Sequence, residues 1–187
     1  KNGIKPDFVN IVEAQDCSGQ IGDLDVTDIN LITNTFTHTN VYKKNVKRHF
    51  LFPSHTDPLN HIFGPILGID TTMYVEKGTV AYQAMCSAKI LGCSKIVLAG
   101  QDLAYLDNRC YSADSSYGEL IYEYDEKTKE IKFKIKDEAK MLESCYAIDF
   151  ATQKIQAATK GLVFVKGIKG DLLPTFGSYA AFISFLS

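Results

Sequence analysis

The chain has 187 residues, 45% apolar and 22% charged, with a formal net charge of −2. That balance fits one soluble globular domain with a substantial core and excludes a polybasic surface for nucleic acid. No apolar run approaches the roughly 18 residues a membrane helix needs, and no charged-then-apolar leader is visible. The expected location is therefore cytoplasmic, with no membrane span.

Phe8 to Val12 reads as a strand, followed by short apolar runs at Asn30–Thr33 and Arg48–Phe52, the last stopped by Pro53. Asp57-Pro58 is a helix start, and the helix is expected to reach Ile66. Thr72–Val75 is a further brief strand. A helix is expected over Thr79–Leu91: Thr79 is its N-cap, Gly92 ends it, and Val80, Ala84, Ala88 and Leu91 share one apolar face. Ile96–Ala99 is unbroken apolar sequence, the pattern of a parallel strand covered on both faces. Leu120, Tyr122 and Tyr124, then Ile131, Phe133 and Ile135 alternating with Lys132, Lys134 and Lys136, describe a hairpin with one solvated face. Residues 137–159 are expected to be helical and Leu162–Val165 a strand. Gly167–Gly170 forms a turn, and Pro174 precedes a final helix. The fold class is therefore α/β and Rossmann-like: a mainly parallel sheet flanked by helices, with an appended antiparallel hairpin, in a single domain over 1–187.

Cysteines fall at 17, 86, 93, 110 and 145, an odd number with no CxxC pair, and the histidines at 38, 49, 55 and 61 show no ligand spacing with them. Reduced thiols and no metal are the expectation.

Four places carry candidate chemistry. Gly78-Thr79-Val80 opens a helix, and helix N-termini present unpaired N–H groups suited to phosphate or carboxylate. An ordinary capped core helix fits the same residues. Gly100-Gln101-Asp102 follows an expected strand end, where α/β folds bind ligands. It suits ribose or base hydrogen bonding, or a loop in which the Asp caps local backbone. Tyr105 and Tyr111 offer phenolic donors to a phosphate, or rings for packing. His55, beside Ser54 and Asp57, is a candidate general base or a surface imidazole.

Taken together, Gly78-Thr79-Val80-Ala81, Leu91-Gly92-Cys93, Ile96-Val97-Leu98 and Gly100-Gln101-Asp102-Leu103-Ala104-Tyr105 resemble the motility-associated-factor (Maf) glycosyltransferases of bacteria. Ile4-Lys5-Pro6-Asp7-Phe8 and Leu173-Pro174-Thr175 are also similar to that family. The resemblance implies transfer of a nonulosonic, sialic-acid-like sugar from a CMP donor to Ser or Thr of flagellin, with no cofactor beyond the donor. Related bacterial CMP-sialic-acid transferases carry two Tyr at this six-residue spacing, in contact with the CMP phosphate. The likeness assigns that role to Tyr105 and Tyr111, and nucleotide binding to Gly78, Thr79, Val80, Gly100, Gln101 and Asp102. Those transferases use a His after the second Tyr, whereas this chain has none after His61. The family's Gly-Pro-Ser strand-turn would lie before Lys1, so the chain is expected to be part of a longer protein. The same scaffold resembles an archaeal 6-hydroxymethylpterin diphosphokinase, which makes pyrophosphate transfer from ATP the alternative. A non-catalytic module binding flagellin or a sugar is a third reading.

Overall fold

The computed structural model describes residues 3–22, 24–54, 57–69, 79–113, 115, 117–125, 127–128, 130–144 and 162–186. The chain divides into two compact units, Lys1–Ala99 and Gly100–Ser187.

The first unit is built on three parallel strands in the order β1-β2-β3: β1 (Phe8–Ile11), β2 (Asn30–Asn34) and β3 (Arg48–Phe52). Their register pairs Val9 with Leu31 and Asn30 with Arg48. Both faces carry helices, and this makes the expected α/β architecture. On one face Leu31 packs with Cys17 and with Val41 of α2 (Thr39–Tyr42), supported by Val9, Ile11 and Val46. Cys17 immediately precedes the short α1 (Ser18–Ile21), and burial pushes its thiol pKa up. On the other face lies α4 (Val80–Ile90), whose Ser87 Oγ donates to Asn10 Oδ1 on β1 at 3.4 Å. A helix α3 (Pro58–Ile66) begins as the sequence indicates, with Asp57 accepting from Leu59 N at 3.0 Å and Pro58 in the first turn, where a missing N–H costs nothing.

Two expectations for this unit need correction. The buried positions of α4 are Gln83 and Ser87, whereas Val80 and Leu91 are 43% and 51% exposed. Ser87 also donates to the Gln83 carbonyl at 2.9 Å, so the two most buried positions of the helix are polar. Ile96–Ala99 forms no strand; it runs as exposed, irregular chain, with Val97 89% exposed. A four-residue apolar run becomes a strand only by pairing, and this one pairs with nothing among the described residues. The expected strand Thr72–Val75 lies outside the described residues.

The second unit holds two antiparallel pairs. The hairpin β4 (Leu120–Asp125) and β5 (Glu130–Ile135) matches the alternation in the sequence: Leu120, Tyr122, Ile131 and Phe133 are buried, and the lysines of β5 face solvent. Helix α5 (Glu138–Ser144) accounts for the start of the expected 137–159 helix, and the rest lies outside the described residues. The second pair is β6 (Leu162–Lys166) and β7 (Leu172–Phe176), followed directly by α6 (Gly177–Leu186). Pro174 therefore sits inside a strand instead of merely preceding a helix. Among the described residues β7 pairs only with β6, and an edge strand tolerates a residue without an N–H.

Candidate functional site

The second unit contains a hollow of about 510 Å³, lined along Gly100–Cys110 except Asn108, and by Tyr111, Ser112, Ser115 and Tyr179. It gathers five of the residues singled out in the sequence: Gly100, Gln101, Asp102, Tyr105 and Tyr111. The backbone folds them together through unusual conformations. Gly100 takes φ 69°, and Leu103, Asp107 and Asn108 take φ 50°, 52° and 59°. Left-handed backbone suits Gly, Asp and Asn but is costly for Leu. Leu103 is held there by Thr175, fully buried on β7, whose Oγ1 donates to the Leu103 carbonyl at 2.5 Å. Tyr105 N donates to the Pro174 carbonyl at 2.9 Å, so β7 fastens this loop at two points.

The two tyrosines differ in situation. Tyr105 is 2% exposed, with ring centroids of Tyr122, Phe133, Phe176 and Tyr179 between 5.5 and 6.4 Å away. Burial drives its phenol pKa far upward, so the group is a neutral hydroxyl in any accessible pH. Tyr111 is half-buried; its hydroxyl lies 3.2 Å from that of Tyr179, and its ring centroid 5.1 Å from that of Tyr117. Gln101 and Asp102 are exposed on the rim.

Thr79 and Val80 belong to the first unit. Thr79 is the N-cap of α4, its hydroxyl accepting from Ala81 N at 3.3 Å. Gly78 and His55 lie outside the described residues.

The hollow also holds a residue that motif reading passed over. Arg109 lines it, with an exposed side chain. Arg109 N donates to the Leu106 carbonyl at 3.0 Å across Asp107-Asn108, a two-residue turn with positive φ at both positions. The Asp-Asn pair between Leu106 and Arg109 is the signal that marks this turn in the sequence. Among the described residues, no group of three His, Cys, Asp or Glu side chains is placed to hold a metal ion. No helix of the described residues is long and apolar enough to cross a membrane.

No curated protein and no solved structure matches the chain. A family model described as 6-hydroxymethylpterin diphosphokinase MptE-like matches residues 1–108, more than half of the sequence and all of the three-stranded parallel sheet. The chain belongs to the MptE-like family.

Proposed function

We propose that the chain is the nucleotide-binding part of a glycosyltransferase that moves a nonulosonic sugar from a CMP donor to a Ser or Thr hydroxyl of flagellin. The observation that carries this reading is the hollow, which groups Gly100, Gln101, Asp102, Tyr105 and Tyr111 around one space large enough for part of a nucleotide. In the reaction the glycosidic C–O bond to the phosphate breaks and its electron pair leaves with CMP. The acceptor oxygen then bonds to the oxocarbenium-like carbon and releases its proton to solvent. The hollow's contribution is to the leaving group. Tyr111, already paired with Tyr179, is a neutral donor that needs little reorganisation, and a donor aimed at developing charge is worth roughly 2–4 kcal/mol of barrier. Asp102 and Gln101 on the rim supply acceptors and donors for ribose hydroxyls or the base.

The family description favours a second reading, pyrophosphate transfer from ATP. Thermal-shift titration separates the two. Stabilisation by CMP without added metal is the expected result, whereas stabilisation only by ATP with Mg²⁺ would overturn the transferase reading in favour of the kinase.

A further inference from the structure

We infer that Arg109 is the oxyanion receptor of the hollow, taking a planar pair of oxygens from the donor, either its phosphate or the carboxylate of the transferred acid sugar. This rests on the transferase reading and adds to it a residue that the sequence motifs do not contain. The backbone at Arg109 is fixed on two sides. Its N–H closes the turn to Leu106, and it forms backbone bridges with both Leu106 and Ile121 of β4. Its neighbours are tied to the same strand, Cys110 N donating to the Leu120 carbonyl at 3.2 Å and Tyr122 N to the Asn108 carbonyl at 3.0 Å.

The guanidinium at the end of this braced segment joins no carboxylate among the described residues, although Asp102 and Asp107 line the same hollow. An uncommitted guanidinium fork suits bidentate recognition of phosphate or carboxylate, and the braced backbone fixes where its stem enters the hollow. The two aspartates complement it, because they accept from hydroxyls of the ligand while the arginine takes its charge.

Isothermal titration of the full chain with CMP, cytidine and N-acetylneuraminate tests the assignment. CMP carries the phosphate alone, N-acetylneuraminate the carboxylate alone, and cytidine neither. Arg109→Ala is expected to weaken either CMP or the acid sugar at least tenfold and to leave cytidine unchanged; which of the two weakens identifies the source of the oxyanion. Arg109→Lys, which keeps the charge but loses the fork, is expected to fall between. Circular dichroism of both variants should match the wild type, because the side chain is exposed and the bracing is by backbone. Wild-type affinity of Arg109→Ala for both anions, with cytidine still bound, overturns the role of Arg109 and leaves the transferase reading standing. If the wild-type chain binds neither CMP nor cytidine, the transferase reading falls and this inference falls with it.

Discussion

Tyr105 and Tyr111 lie six residues apart in one loop, yet one is a structural ring and the other a half-buried hydroxyl at the edge of a hollow. The four aromatic neighbours of Tyr105 make truncation costly: Tyr105→Ala should destabilise the second unit by roughly 3–5 kcal/mol, read as a shift in urea midpoint. Tyr111→Phe removes only a hydroxyl shared with Tyr179 and should cost about 1 kcal/mol of stability. On the transferase reading, its effect on turnover is larger, at least about tenfold in the full-length protein, or roughly 1.4 kcal/mol of barrier. Unchanged turnover in Tyr111→Phe would remove its leaving-group role. Only the spacing of this pair is visible in the sequence. The difference between the two is made by partners at 122, 133, 176 and 179, far along the chain.

Short elements depend on single side chains. Asp16, just before α1, accepts from Ser18 N at 3.0 Å, from Ser18 Oγ at 2.6 Å and from Asn40 Nδ2 at 2.6 Å, so it ties α1 to α2. The Ser18 hydroxyl, then Asn40, then the Ser18 amide, lower its pKa to about 2 from 3.8. A lowered carboxylate pKa stabilises the fold above the ordinary value and loses that contribution as pH falls toward 2. The gap in denaturation midpoint between the wild type and Asp16→Ala should therefore be widest at pH 5 and narrow steadily down to pH 2; a gap independent of pH would mean that the carboxylate charge plays no part. Helix starts of this local kind were the most legible elements. Asp57-Pro58 and Thr79 announce α3 and α4 because a cap and its amide lie two residues apart. The run Ile96–Ala99 does not show its own fate because strands are settled by non-local pairing, and the inward face of α4 is hidden because Ser87 finds its partner, Asn10, 77 residues away. Pro174 concealed β7, since the residue that argues against a strand is harmless at an edge. No motif names Arg109, although the Asp107-Asn108 turn that holds it is marked in the sequence.

At the scale of the molecule, the family match and the compact units have different limits. The match ends at residue 108, whereas the second unit begins at Gly100, so Gly100–Asn108 fall inside the match and Arg109, Tyr111 and Tyr179 outside it. All four aromatic neighbours of Tyr105 also lie beyond 108. A chain cut after Asn108 should accordingly lose the thermal response to CMP that the transferase reading expects of the full sequence; a retained response would place nucleotide binding within residues 1–108. The sheets of the second unit have two strands each, and the outer side of β5 has no partner among the described residues. An unpaired strand of alternating Ile and Phe is a template onto which a neighbouring chain can add its own strand. Lys132 and Lys134 stand on its solvated face, Lys134 paired with Glu123 at 2.6 Å, and charged side chains beside an open edge oppose the pairing of identical chains.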